Sequence, residues 1–220
     1  MGKLMYIVTS LHKKTSRNYI GRMCDNKVEA MVMSRKYDKE YWDGNRRYGY
    51  GGYKYDGRWE TVARMLIDAY KLPKNAKILD VACGKSFLLY EFRKLLPECT
   101  IKGFDISEYA IRNAKEEVKE NLFVHRMQDP YPFKDKEFDL VLCISSLQNI
   151  YLYELKQTLK EIERTGKNKF IVVEAYRNEQ ELFNLECWVL TGNLLLMDKE
   201  WTYLFNEFGY TGDYEFTYFE

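Results

Sequence analysis

Neither sign of charge dominates this 220-residue chain: charged side chains make up 30% of it, yet the formal net charge is +1. A basic footprint and an acidic tail are both missing, which argues against nucleic acid as an obligatory partner. The five cysteines, Cys24, Cys83, Cys99, Cys143 and Cys187, are odd in number and scattered, with no CxxC pair. Neither a disulfide framework nor a metal site is indicated, and reduced thiols fit the cytosol. No apolar run approaches the roughly 20 residues that span a bilayer. The opening MGKLMY has Tyr6 where a myristoylation signal needs Ser or Thr. The expectation is a soluble, cytoplasmic protein without a membrane partner. No internal repeat or low-complexity linker divides the chain, and nothing in it fixes an oligomeric state.

What the chain does contain is organised around residues 77–105. Ile78, Leu79 and Val81 form a short apolar run, followed by the small-residue turn Ala82-Cys83-Gly84-Lys85-Ser86. Phe87, Leu88, Leu89, Phe92, Leu95 and Leu96 recur at helical spacing until Pro97. Residues 101–104 resume an extended pattern that ends in the carboxylate of Asp105. Strand, turn, helix and parallel strand make the unit that binds adenosine-containing cofactors, with the acid placed for ribose hydroxyls. A P-loop is excluded despite Gly84-Lys85-Ser86, because its first glycine would have to stand at Leu79.

Strand and helix then alternate. Ser107 is a candidate cap for a helix with Ala110, Ile111, Ala114 and Val118 on its apolar face. Residues 122–125 read as a third strand holding His125, whose expected role is structural; no role is expected of His12. Residues 138–144 (FDLVLCI) and 170–175 (FIVVEA) read as buried strands around a helix marked by Leu152, Leu155, Leu159 and Ile162. Trp201, Leu204, Phe205 and Phe208 mark a late helix capped by Asp198 and stopped at Gly209, before a final strand over 214–219. Periodicity leaves residues 187–197 open. The expected fold is α/β, a mostly parallel Rossmann-like sheet with helices on both faces.

Upstream, Val62, Met65, Leu66, Ala69 and Tyr70 mark one helical face, placing the start of this core at residue 60. Residues 1–59 are expected to form an N-terminal cap or lid on the core of residues 60–220, within one compact domain. Their stretch YWDGNRRYGYGGYKYDGRW, from Tyr41 to Trp59, is too dense in Gly and Tyr for regular structure. It reads as an irregular cap or a lid, with Arg46, Arg47 and Arg58 aimed at an anionic group.

Asp80-Val-Ala-Cys-Gly-Lys-Ser86 resembles the first motif of class I S-adenosylmethionine-dependent methyltransferases, commonly D-V-G-C-G-x-G. Asp105 resembles the acid that ends their second strand, and Gln128-Asp129 with Pro132-Phe133 resembles their D-x-x-x-L-P-F segment. FDLVLCIS and DKEWTYLFNEFGY resemble their fourth-strand and late-helix motifs, so the likeness covers residues 60–220. It implies S-adenosyl-L-methionine as cofactor and S-adenosyl-L-homocysteine as product. It implies that Ala82, Cys83, Gly84 and Ser86 pass beneath the methionine portion, and that Asp80 places the amino group. Asp105 with Ile106 would take the ribose side, Gln128 and Asp129 the adenine, and Ser145 the mouth of the site. Two departures from the pattern stand out. Ala82 replaces a glycine, at little cost because it is small, while Ser86 replaces another and adds a side chain beside the cofactor.

Methyl transfer needs an acceptor held in line with the donor, and for a hydroxyl a base helps. Glu174, at the end of the fifth strand, is the candidate base, with Gln148 after the fourth strand and Tyr50 and Tyr176 as substrate-side residues. The D/N/S-P-P-Y/F motif of base- and amide-methylating enzymes is absent, since residues 145–149 read Ser-Ser-Leu-Gln-Asn. The Pro-Cys nucleophile of cytosine C5 enzymes is absent as well. A small-molecule acceptor is therefore favoured. RRYGYGGYKYDGRW is also similar to the N-terminal region of small methyltransferases from bacterial capsule and surface-polysaccharide clusters, some associated with O-methyl phosphoramidate decoration. That likeness implies a phosphorylated, nucleotide-linked or sugar-derived acceptor. In that group residues 147–149 more often read Leu-His-Asn, where this chain has Gln148. The alternatives are a non-catalytic binding protein of the same fold, suggested by Ser86 and Gln148, and an RNA methyltransferase.

Overall fold

The computed structural model describes residues 2–220. Four short helices occupy the N-terminal segment: α1 (Thr9–His12), α2 (Tyr19–Cys24), α3 (Lys27–Ser34) and α4 (Lys39–Trp42), followed by a single 3-10 turn at Arg46–Tyr48. From there α5 (Glu60–Tyr70) leads into β1 (Lys77–Val81), α6 (Phe87–Leu95), β2 (Thr100–Asp105), α7 (Glu108–Arg112), α8 (Glu116–Lys119), β3 (Leu122–Val124) and β4 (Phe138–Ile144). The chain continues through α9 (Leu152–Thr165), β5 (Gly166–Ala175), α10 (Glu179–Trp188), α11 (Asp198–Glu207) and β6 (Asp213–Tyr218).

The six strands pair in the order β3-β2-β1-β4-β5-β6, every pair parallel. Parallel strands need covered faces, and the alternation within β4 and β5 shows how both are supplied. Val141, Cys143, Ile171 and Val173 join Leu155, Leu159 and Ile162 of α9 and Trp201 and Phe205 of α11. Leu140, Leu142, Phe170 and Val172 face the other way, toward Leu66 of α5 and Leu88 and Phe92 of α6. This is the three-layer Rossmann-like architecture expected from the pattern. The order reverses at β1, between β2 and β4, so a crevice opens beyond the carboxyl ends of those strands.

Boundaries moved where the period was short. The face of α5 buries Val62, Ala63 and Leu66, while Met65 turns outward, 38% exposed. The helix expected after Ser107 breaks into α7 and α8, although Ser107 Oγ caps it by accepting from the Ala110 N–H at 3.0 Å. α10 runs through Trp188 into the stretch that periodicity left open, and its stripe is blurred by the buried polar residues Glu181 and Asn184.

The N-terminal segment is rooted in the sheet. Residues 2–5 run along the free edge of β6, with Met5 N–H donating to the Tyr214 carbonyl at 2.8 Å and Tyr214 N–H to the Lys3 carbonyl at 3.0 Å. Glu215 of β6, fully buried, accepts from the N–H groups of Ile7, Val8 and Thr9 and from the Thr9 hydroxyl. A buried carboxylate is tolerated only when its lone pairs are filled in this way. Among the described residues no helix is long and apolar enough to cross a membrane.

Candidate active site

The turn after β1 gives the site its shape. Ala82, Gly84 and Ser86 have φ of 58°, 54° and 56°, so alternate residues sit in the left-handed region. That is why such a turn favours glycine at these positions. Ala82 and Ser86 hold the conformation against a cost of about 1–2 kcal/mol each, so the Ala82 replacement is not free. Ser86 corrects another expectation: it is fully buried, and its Oγ lies 3.0 Å from Cys83 Sγ. Its hydroxyl packs beneath the turn and does not line the cavity.

Gly84 is fixed by space as well as by φ. A Cβ there would stand 2.8 Å from Cη2 of Trp42, which lies against the turn from the N-terminal segment. Trp42 Nε1 donates to Ser107 Oγ at 2.9 Å, and its ring stacks on Tyr50 at 5.2 Å. Beside it Lys85, 4% exposed, pairs with Asp43 at 2.6 Å and donates to the Tyr53 carbonyl at 2.9 Å, while the Tyr109 hydroxyl donates to Asp43 at 2.8 Å. The cap is thus bolted to the turn it covers. Gly84→Ala is expected to destabilise the protein by about 2–3 kcal/mol, left-handed strain plus displacement of Trp42, and to quench the cap's ordering. Thermal melting together with Trp fluorescence would read both effects.

Asp105 and Asp80 converge on a cavity of about 490 Å³ at the carboxyl ends of β1, β2, β4 and β5, a size that suits a cofactor site. Asp105 Oδ2 accepts from the Gly84 N–H and Oδ1 from the Ser107 N–H, both at 2.8 Å. Both oxygens are pinned, and each keeps a further lone pair. Burial raises its pKa, while those N–H groups oppose the rise. Asp80 is 4% exposed, and no donor reaches it among the described residues. Burial, with Asp105 nearby, pushes its carboxyl up to about 8.

Across the cavity stand Ser145, with φ of 51°, and Gln148, 2% exposed. Gln148 Nε2 donates to the Ser145 carbonyl at 2.9 Å, leaving its Oε1 buried without a partner. Burial pushes the Glu174 carboxyl up to about 7, against the pull of the Arg17 charge and the Gln148 amide. Ile106, Gln128 and His125 line the same space, the imidazole packed edge-on to Phe104 at 5.2 Å. His125 follows β3 rather than lying within it.

Ala82, Cys83, Gly84, Tyr50, Arg46 and Arg58 also border the cavity, but other expected residues do not. Asp129 lies outside it, past Gln128, whose side chain reaches Glu154 at 3.2 Å. Tyr176 is held by a backbone bridge to Met197 and does not border the cavity. Arg47 points outward to Asp25 at 3.2 Å and Glu29 at 3.6 Å. Arg58 is neutralised by Asp56 on the rim. In their place the structure brings in Arg17, Arg22, Tyr41 and Trp188. Arg17 precedes α2, Arg22 and Tyr41 lie in the short helices α2 and α4, and Trp188 ends α10, places where no periodic signal marks a binding residue.

A parallel sheet whose order reverses at β1, with a tight turn and two strand-end acids around a cavity at that reversal, defines a Rossmann-like methyltransferase. The methyltransferase-domain family matches residues 72–209, and the chain belongs to it. Among curated relatives, it is 30% identical over 138 residues to "Arginine-hydroxylase NDUFAF5, mitochondrial" of Homo sapiens, covering 61% of this chain and 39% of that protein. It is 29% identical over 121 residues to the demethylmenaquinone methyltransferase of Listeria monocytogenes, covering 52% and 49%. The chain thus spans less than half the length of these relatives. The crystal structure of YcgJ from Bacillus subtilis shares the fold, with a TM-score of 0.53, 16% identity and 66% of each chain covered.

Proposed function

We infer that the protein is an S-adenosyl-L-methionine-dependent methyltransferase acting on a small anionic acceptor, phosphorylated, nucleotide-linked or sugar-derived, in surface-polysaccharide or related small-molecule metabolism. The observation that carries this is the pairing of Asp105, pinned with lone pairs to spare, with Asp80, which no donor reaches. The first suits a vicinal diol and the second an ammonium group, the two polar ends of this cofactor.

The bound cofactor would supply an electrophilic methyl group on a sulfonium. Asp80 would hold the amino group, and the left-handed turn lets its backbone approach the chain. Asp105 would accept from both ribose hydroxyls. Ile106, Met127 and Gln128 border the adenine side. The acceptor would enter beneath Tyr41 and Tyr50 and present its nucleophile beside Ser145, Gln148 and Glu174. A carboxyl poised near 7 can take a hydroxyl proton at neutral pH. Gln148 would orient it. A purely non-catalytic reading loses one of its two supports, because Ser86 is turned from the cavity. Against an RNA reading, Arg17, Arg22 and Arg46 border the cavity, while the outward Arg47 and the rim Arg58 are each paired with carboxylates.

Calorimetry with S-adenosyl-L-homocysteine tests cofactor binding, and methyl-transfer assays over phosphorylated and nucleotide-linked sugars test the acceptor. In those assays Glu174→Gln is expected to lower kcat by about 10²-fold or more. It should also abolish the rising limb of the rate near pH 7 while leaving homocysteine-product affinity within about twofold. A variant with the wild-type pH profile would remove Glu174 from proton transfer.

A further inference from the structure

The N-terminal segment places three guanidinium groups around one indole inside the cavity. Arg17, Arg22 and Arg46 lie 5.6, 4.5 and 5.1 Å from the Trp188 ring centroid. Among the described residues none of the three forms an ion pair, whereas Arg47 and Arg58 close by are both neutralised by carboxylates. Their acceptors are neutral. Arg22 donates to the carbonyls of Trp188 at 2.8 Å and Arg46 at 3.1 Å, and Arg46 donates to the Gly49 carbonyl. Arg17 donates to the carbonyls of Thr15 and His12 and to the His12 ring, while its Nε is buried with no partner. His12 adds no charge, since burial and Arg17 hold its pKa down to about 4.

Clustered cations repel one another; here Arg17 and Arg22 are half-buried, and Arg46 is exposed where it borders the cavity. Burial lowers the pKa of all three, and the Arg46 charge lowers Arg17 and Arg22 further. Nothing in the described residues pairs them, and Arg17 Nε is buried without an acceptor, so an anion seated among them would both relieve the repulsion and complete the set. Each guanidinium keeps N–H donors free, and planar forks of this kind match oxyanions. Two carboxyl groups act on the cluster without pairing to it, Glu174 on Arg17 and Asp25 on Arg22.

Resting on the methyltransferase reading, we propose that Arg17, Arg22 and Arg46 over Trp188 form a phosphate subsite that anchors the acceptor in the same cavity as Glu174. Three unneutralised cations match the charge of a phosphate monoester or diphosphate better than that of a single carboxylate. Its arginines come from the N-terminal segment and Trp188 from the end of α10, whereas Asp80 and Asp105 come from β1 and β2, so acceptor anion and cofactor would draw on different residues of the one cavity.

The test is thermal unfolding of the full chain with inorganic phosphate, sodium acetate or sodium chloride at matched ionic strength, with S-adenosyl-L-homocysteine affinity measured in parallel. Phosphate should raise Tm in a saturable way beyond chloride and acetate. Arg46→Gln and, separately, Arg17→Gln should weaken the phosphate response about tenfold or more. They should leave homocysteine-product affinity within about twofold, and without phosphate their Tm should equal or exceed that of wild type, because repulsion is relieved. Arg46→Lys should recover part of the response. Should one variant fail to fold, the other carries the comparison. A phosphate response no larger than that to chloride, or unchanged in both variants, overturns the subsite. An equal response to acetate overturns its assignment to phosphate. Loss of homocysteine-product binding in the wild-type protein would instead strike the methyltransferase reading and leave the anion result standing.

Discussion

Asp105→Ala is expected to raise the dissociation constant for S-adenosyl-L-homocysteine by about 10²–10⁴-fold. Two hydroxyls donating to one carboxylate are worth about 1.5–3 kcal/mol each, and each 1.4 kcal/mol is tenfold. Alanine also removes the two acceptors that pin the turn, those of Gly84 N–H and Ser107 N–H, so some loss of stability accompanies it. Asp105→Asn separates these effects. The amide keeps one acceptor oxygen and holds part of the turn, yet cannot accept from both hydroxyls and an N–H pair at once. Calorimetry with adenosine as a second ligand localises the loss, since adenosine carries the diol without the amino acid. Wild-type affinity in both variants would remove Asp105 from the ribose site.

Asp80→Asn is expected to stabilise the free protein and weaken cofactor binding together. Asp80 ionises near 3.8 when exposed and at about 8 in its buried site. Between those values the folded state binds the extra proton, so stability falls as pH rises from about 4 to 8. Asparagine removes that loss, on the order of a few kcal/mol above pH 7, which corresponds to a rise in Tm of about 5 °C or more for a chain of this size. The difference should vanish near pH 4. Binding runs the other way. An ammonium group beside Asp80 demands the ionised form, so cofactor binding to wild type at pH 7 should release close to one proton. Affinity should rise about tenfold from pH 6 to 7. Titrations in buffers of differing ionisation enthalpy read the proton directly. Asp80→Asn should release none and bind about 10²-fold more weakly. Proton release unchanged in the variant would assign it elsewhere.

The sheet was legible because its strands carry dense apolar runs. FDLVLCI buries both faces in β4, and the turn after β1 alternates small residues where the backbone is left-handed. Asp80, Asp105, Ser145, Gln148 and Glu174 all border the cavity, because each lies near or just past the carboxyl end of a strand. The left-handed φ of Ala82 and the inward turn of Ser86 were not legible, since side-chain size says nothing of backbone conformation. The acceptor side was the least readable. Arg46, Arg47 and Arg58 look alike in sequence, and only the fold shows that Asp25 and Glu29 draw Arg47 outward while Asp56 neutralises Arg58. Arg17 and Arg22 lie in a segment rooted by Glu215 and closed over by α10, contacts too distant along the chain for any local pattern to register.

The most direct measurement is calorimetric titration of the wild-type protein with S-adenosyl-L-homocysteine. The arrangement of Asp80, Asp105 and the turn predicts saturable binding of one ligand per chain, coupled to proton release at pH 7. No binding of this ligand or of S-adenosyl-L-methionine would contradict it.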